Sequence, residues 1–196
     1  GVGDPVAIYD QFADRYMVTE FGRVSSTAIN TLIVFVSQTN DPTGAWYIYK
    51  FTDNTFFPDY PHWGAWPNVL YATTNDFNTA GTAYLGSSVW AINKAPMIAG
   101  NASTQLQRFR LNFDCAPVNI SGPAAPSAAG TIGHFMYLND NNYNPSPGAA
   151  DSIGMMRFDP DFVTPANTTL TFAQALVTAP YKTNICGTRN CIPSNT

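Results

Sequence analysis

The sequence carries little charge. Asp, Glu, Lys and Arg make up 11% of its 196 residues, less than half of the roughly 25% found in average globular proteins. The nine Lys and Arg residues are outnumbered by 13 Asp and Glu, the formal net charge is −4, and no stretch concentrates basic residues. Binding to a phosphate backbone needs such a concentration. The composition therefore excludes nucleic acid as a partner.

Long hydrophobic runs are also absent. The most apolar run, Leu32 to Val36, has the length of a strand, whereas a membrane-spanning helix needs about 20 apolar residues. The sequence therefore predicts no membrane span.

Residues for catalysis are few. Glu20 is the only Glu and His62 and His134 are the only His residues, so at least one carboxylate of a glycosidase pair would have to come from an Asp. The Arg residues are scattered, and no G-x-S-x-G nucleophile motif occurs. These absences weaken the case for an enzyme.

The chain has three cysteines. Cys186 and Cys191 lie five residues apart around Gly187, and this spacing favours a disulfide that pins a local turn. Cys115 is then expected to be free or to pair outside the chain. The alternative is three reduced thiols.

What the chain does have is apolar and aromatic sequence in short stretches. Residues of the apolar classes reach 45% and aromatics 14%, and Ser, Thr, Asn, Ala and Gly fill much of the rest. Few charges and many small polar residues favour a β-rich protein that is secreted or held at the cell surface.

Two stretches repeat each other at an offset of 56 residues. Pro5 to Tyr9 leads to Glu20-Phe21, and Pro61 to Ala65 leads to Asp76-Phe77. A fixed period of this size indicates a repeat architecture in which each unit buries its faces against its neighbours. Together with the strand content, it predicts an all-β fold built from β-propeller blades of four antiparallel strands.

The pattern of strands divides the chain, a single domain over residues 1–196, into three blades and a tail. The predicted blades cover about residues 4–56, 57–113 and 131–180, with an irregular tail over 181–196. Residues 117–130, rich in Ala, Pro, Ser and Gly, read as a loop. Closed propellers have four to eight blades, so three blades predict an incomplete ring whose remaining blades come from the same or another chain.

Several motifs resemble a known family. They are Gly3 to Asp10, Ser37 to Trp46 with its Asp-Pro-Thr-Gly turn, Phe57 to Pro61, and Cys191-Ile192-Pro193. In this order they resemble a family of secreted bacterial β-propeller proteins, mostly uncharacterised. The resemblance implies that the chain is an internal portion of the ring, and it supplies no catalytic residues. The stretch Ser37 to Trp46 is also similar to a loosened Asp-box, the structural turn of sialidase-type propellers.

Acidic residues before the first strands are candidates for a metal site. Asp4 and Asp59 each precede a first strand, where carboxylates with backbone carbonyls could bind calcium, which takes six to eight oxygens. The alternative is that each Asp caps a turn. The run Asn139 to Asn144 is rich in oxygen ligands as well, but it lacks the spacing of an EF-hand loop and fits a plain polar loop.

Four aromatic side chains are candidates for ligand binding: Tyr60, His62, Trp63 and Trp66. Such a cluster suits a glycan because the C–H face of a sugar packs on an aromatic ring. The alternative is packing between neighbouring blades.

The sequence therefore predicts a secreted, noncatalytic β-propeller module for extracellular binding, adhesion or assembly. The alternative is a carbohydrate-active enzyme, a glycoside hydrolase or sialidase-like protein with its site at the mouth of the channel. A glycan is a possible partner and calcium a possible cofactor under either hypothesis.

Overall fold

The computed structural model describes residues 3–23, 30–122, 132–141 and 150–183. Within them the chain forms three four-stranded antiparallel sheets, in each of which the strands follow one another in chain order. The prediction of an all-β fold with four-stranded antiparallel units is confirmed. The sheets do not close into a ring. The predicted disulfide of Cys186 and Cys191 lies outside the described residues.

Each sheet is a meander. Sheet 1 comprises β1 (Gly3–Asp10), β2 (Arg15–Arg23), β3 (Asn30–Ser37) and β4 (Trp46–Asp53). Sheet 2 comprises β5 (Phe57–Ala65), β6 (Val69–Phe77), β7 (Tyr84–Asn93) and β8 (Leu106–Leu111), with the short helix α1 (Lys94–Ile98) between its last two strands. Sheet 3 comprises β9 (Ala116–Pro117), β10 (Gly133–Asn139), β11 (Ser152–Asp159) and β12 (Thr169–Val177).

The three sheets stack face to face with sheet 2 in the middle. Alternate residues of a strand point to opposite faces, and β6 shows this directly. Its residues Leu70 and Ala72 belong to core 1, the cluster between sheets 1 and 2. Val69 and Tyr71 belong to core 2, the cluster between sheets 2 and 3. Because both faces of sheet 2 are covered, its two central strands β6 and β7 are buried over most of their length.

Core 2 is built around one aromatic ring. Tyr71 is 1% exposed, and its ring lies 5.6 Å from that of Phe135 and 5.8 Å from that of Phe158. Its edge also fits against Gly133, where an added Cβ would lie 2.3 Å from Tyr71 Cε2. This close approach explains why the strand that faces Tyr71 begins with glycine.

A buried ion pair ties sheet 1 to sheet 2. Lys94, in α1, lies 2.5 Å from the carboxylate of Asp10 at the end of β1, and the two side chains are 2% and 0% exposed. The Lys94 ammonium also donates to the Trp66 carbonyl at 2.5 Å. Burial lowers the pKa of Lys94, and the Asp10 charge opposes that shift. Both charges are therefore shielded from water, and their attraction for each other offsets the cost of their desolvation.

The offset of 56 residues holds only for the first strands. Asp4 and Tyr60, 56 residues apart, both adopt positive φ, 50° and 49°, at matching β-bulges where the register of the strand shifts. Beyond the bulges, Val6 pairs with Thr19 and His62 pairs with Thr73, so the second hairpin is two residues shorter. The structural counterparts of Glu20-Phe21 are therefore Thr74-Asn75 rather than the Asp76-Phe77 that the sequence repeat aligned with them.

Candidate functional site

A cavity of about 680 Å³ lies beside β10. The reason is the shortness of β9, which pairs only with Phe135 and Met136. The next residues of β10, Tyr137 and Leu138, have no β9 partner and line the cavity instead. Its volume is within the 300–1,000 Å³ that small-molecule sites usually have, so we take it as the candidate ligand-binding site.

Apolar side chains form much of the cavity wall. Met136 and Leu138 come from β10 and Ile153 from the neighbouring strand β11. Phe113 approaches from the segment between sheets 2 and 3, with its ring 4.6 Å from that of Tyr137 at an angle of 44°. These residues present aromatic and aliphatic surface to a ligand.

The cavity wall also contains a set of hydrogen-bonded polar side chains around Asp114. Its Oδ1 accepts hydrogen bonds from the Tyr84 hydroxyl and, at 2.6 Å, from the Ser87 hydroxyl. Burial and the hydrogen bond to Asp114 raise the pKa of Tyr84 to about 12. Tyr84 therefore stays protonated at neutral pH and orients the carboxylate at the cavity.

A second carboxylate, Asp140, lies where β10 ends. It is 4% exposed and accepts hydrogen bonds from the Thr183 backbone N–H at 2.6 Å and hydroxyl at 2.8 Å. Both residues line the cavity. The contacts fix this end of the site by joining β10 to the segment after β12.

Cys115 also lines the cavity and is a free thiol among the described residues. Burial raises its pKa to about 12, with the Asp114 charge adding to the shift. Only a thiolate is a good nucleophile, so this thiol is not suited to nucleophilic catalysis at neutral pH.

The cavity is acidic in character. Its described lining residues include Asp114, Asp140 and His62 but no Lys or Arg. An anionic ligand would find no cation there, whereas a neutral or cationic ligand with hydrogen-bond donors would meet two carboxylates.

The four predicted ligand-binding residues separate in the structure. Tyr60 and His62 are exposed, their rings lie 4.8 Å apart at 86°, and His62 lines the cavity. Trp63 is buried in core 1 and Trp66 in core 2, where the Trp66 indole donates to the Val118 carbonyl at 2.7 Å. The two Trp residues therefore pack between sheets, and only Tyr60 and His62 are open to a ligand.

The two predicted metal ligands lie within electrostatic reach of each other. Burial raises the pKa of Asp59, and the nearby charge of Asp4 contributes to the shift. Asp59 also accepts a hydrogen bond from the Tyr60 backbone N–H at 3.0 Å, as a turn-forming Asp does. Among the described residues, no cluster of three or more His, Cys, Asp or Glu side chains has the arrangement of a metal site.

The Asp-box-like stretch forms the turn between β3 and β4. Asp41 accepts hydrogen bonds from the backbone N–H and the hydroxyl of Thr43 at 2.9 and 2.7 Å. The Trp46 indole donates to the Pro42 carbonyl at 3.2 Å. These contacts are within the turn itself, which fits a structural role.

The sequence pointed to only part of this site. It singled out His62 for aromatic clustering, but it interpreted the run that contains Asp140 as a plain polar loop and gave no sign of Tyr84 or Asp114. Those two are 30 residues apart, and Asp114 follows the end of β8, where no periodicity marks a role. The pairing of β7 with β8 brings them together, because Ser87 pairs with Leu111 and Tyr84 and Asp114 lie three residues further along the two chain segments.

Comparison of the chain with protein-family models, with curated proteins and with solved structures found no match in any of the three. In the part of the chain that the structure describes, no helix is long and apolar enough to cross a membrane.

The hydrogen bond between Tyr84 and Asp114 can be tested by titration. We expect the Tyr84 ring carbon bearing the hydroxyl to titrate near pH 12 in NMR spectra, and the Asp114→Asn variant to titrate at lower pH because the charged acceptor is gone. Tyr84 thus contributes stability that is present below pH 10 and is lost as the pH rises towards 12. An unchanged titration in Asp114→Asn would show that the carboxylate does not act on Tyr84.

Proposed function

We propose that the chain is a noncatalytic module of a secreted protein that binds a neutral glycan in the cavity beside β10. The observation that carries the proposal is the meeting of aromatic and aliphatic surface with two carboxylates, Asp114 and Asp140, in one cavity whose described lining has no cation.

Sugar chemistry fits such a wall. The C–H face of a sugar ring is apolar and packs on Phe113 and Tyr137, whose rings form one tilted pair. Its hydroxyl groups are donors, and ionised carboxylates are strong acceptors for them. His62 adds a ring and a polar atom at the rim. Because Ser87 and Tyr84 already orient Asp114, the site needs little rearrangement on binding.

The test is a glycan array followed by calorimetry with the strongest binder. We expect Asp114→Asn and His62→Ala each to weaken binding at least about tenfold, since about 1.4 kcal/mol, the size of one good hydrogen bond, corresponds to a factor of ten. Asp41→Asn is the matched control, because it removes the same charge from the exposed turn of sheet 1. Equal affinities for the wild type, both cavity variants and the control would contradict the assignment of the cavity.

One observation favours a second candidate, a carbohydrate-active enzyme. Asp114 and Asp140 line the same cavity, and glycoside hydrolysis uses a pair of carboxylates. The oligosaccharide that binds is therefore incubated with the protein and its products are followed by mass spectrometry. Release of shorter sugars that is lost in both Asp114→Asn and Asp140→Asn would establish this candidate instead of the noncatalytic one.

Calcium binding by Asp4 and Asp59 is a further part of the proposal, supported by the influence of the Asp4 charge on Asp59. Calcium that binds only the folded state raises the thermal midpoint. We expect a calcium-dependent rise in the wild type that is absent in Asp59→Asn. The same rise in both proteins would place the ion elsewhere.

A further inference from the structure

Sheet 1 has an outer face, the one turned away from sheet 2, that is apolar over most of its area and carries Glu20 and Lys50 on either side of Ile33 in one paired row. Met17 and Val34 belong to core 1, so their strand neighbours point outwards. Tyr9 and Ile48 on this face are 51% and 56% exposed. The outer face of sheet 1 is formed mainly by Tyr9, Tyr16, Val18, Phe35, Trp46 and Ile48.

This face is the counterpart of one that is buried inside the stack. Across sheet 1, Ala7, Val18, Phe35 and Ile48 form one paired row. Counted from the matching bulges at Asp4 and Tyr60, the same row of sheet 2 is Trp63, Ala72, Trp90 and Arg108. The first three of these are buried against sheet 1. The face that sheet 2 packs against sheet 1 is therefore equivalent to the face that sheet 1 exposes to solvent.

The other end of the stack presents the opposite kind of face. Sheet 3 turns Phe135 and Met156 towards sheet 2, so its outer face is the one that would meet a following sheet. On it, Leu138, Ile153 and Leu176 form a paired row, and Leu138 and Leu176 are 62% and 48% exposed. Leu138 and Ile153 also line the cavity, so a sheet packed on this face covers part of the apolar wall of the cavity. Both contacts inside the stack join the face that one sheet turns towards its following neighbour to the face that the next sheet turns towards its preceding neighbour. The outer face of sheet 3 is of the first kind, and the outer face of sheet 1 is of the second.

We propose that the outer face of sheet 1 binds the outer face of sheet 3 in a second copy of the chain. The contact repeats the one that already occurs twice within the molecule. Two copies joined this way at both ends would make a closed ring of six sheets, and rings of four to eight sheets are known.

The size of the faces favours closure. Since β9 is two residues long, the outer face of sheet 3 is limited to three strands of about seven residues, which measure about 14 by 23 Å, or about 330 Å². One contact then buries about 660 Å² over both copies, less than the roughly 1,200 Å² of a stable interface, whereas two contacts bury about 1,300 Å². A dimer closed at both ends is therefore favoured over a chain of singly joined copies.

This inference goes beyond glycan binding and is tested without a ligand. Light scattering of the wild-type chain after size exclusion is expected to give twice its mass of 21.3 kDa. Ile48→Lys and Leu176→Lys each place an unpaired charge in the contact, and each is expected to weaken association at least about tenfold. Val163→Lys is the matched control, since Val163 is 93% exposed in the turn between β11 and β12, and it should stay dimeric.

Mixing the two variants identifies the faces that meet. Ile48→Lys keeps an intact sheet 3 face and Leu176→Lys keeps an intact sheet 1 face, so the mixture should regain a single contact and form a heterodimer, weaker than the wild-type dimer. A wild-type mass of 21.3 kDa at all concentrations would overturn the proposal. So would a Leu176→Lys protein as dimeric as the wild type, or a mass that grows with concentration without a limit. Neither residue lines the cavity, so failure of glycan binding would leave these results unaffected.

Discussion

Lys94→Met is expected to lower the free energy of unfolding by about 3–5 kcal/mol, the usual cost of removing one partner of a buried ion pair. The reason is Asp10, which is 0% exposed and would be left as a buried charge without its cation. Lys94→Met keeps the length and most of the apolar volume of the side chain, so the loss of charge is the main change. Chemical denaturation followed by tryptophan fluorescence measures the effect.

The double variant Asp10→Asn/Lys94→Met separates the two sources of that loss. Asn keeps an oxygen that can accept from the Phe12 and Ala13 backbone N–H groups, as Asp10 does at 3.0 and 3.3 Å. With no charge left to desolvate, the double variant should be more stable than Lys94→Met alone. A double variant that is less stable, by the sum of both single losses, would mean that the two residues do not interact.

Tyr71→Ala is expected to cost about 3–5 kcal/mol, because the removal of a large buried aromatic ring leaves a cavity that its surroundings fill only partly. Tyr71 contacts the rings of both Phe135 and Phe158, so the loss falls on the joint between sheets 2 and 3. Phe172→Ala is the matched control. Its ring is 61% exposed, and removing it should cost less than about 1 kcal/mol.

The same variant carries a second readout. Since core 2 supports β10, loss of Tyr71 should also loosen the cavity wall and increase amide hydrogen exchange in β10 more than in sheet 1. A uniform increase over sheets 1 and 3, or a loss of stability no larger than that of Phe172→Ala, would contradict the stacking of sheet 3 on Tyr71.

The sequence predicted an all-β chain of four-stranded antiparallel units because local signals mark many of the strands. The turn at Asp41 to Gly44 and the alternation of the flanking strands are local features. The strand β9 was missed, since Ala116–Pro117 is two residues long and is a strand only by pairing with β10. A pairing of that length depends on tertiary contacts and leaves no periodicity in the sequence.

The site was predicted less well, for two physical reasons. Trp63 and Trp66 are close in the sequence, but they belong to different cores, because the chain turns after β5 and sheet 2 is covered on both faces. Tyr84 starts β7 and Asp114 follows β8, and their contact depends on the register in which these two strands pair, which no local pattern in the sequence specifies. Closeness in the sequence therefore predicted an aromatic cluster that the structure divides between two cores, and it gave no sign of the contact between Tyr84 and Asp114.

The central claim is that sheet 2 lies between the other two sheets, since both the cavity and the two outer faces follow from it. The most direct test is aromatic nuclear Overhauser spectroscopy with selectively labelled Tyr, Phe and Trp. We expect cross-peaks from Tyr71 to Phe135 and Phe158, which join sheets 2 and 3, and from Phe21 to Phe57, which join sheets 1 and 2 with their rings 4.9 Å apart. Cross-peaks from Tyr71 to sheet 1 in place of those to Phe135 and Phe158 would contradict the account.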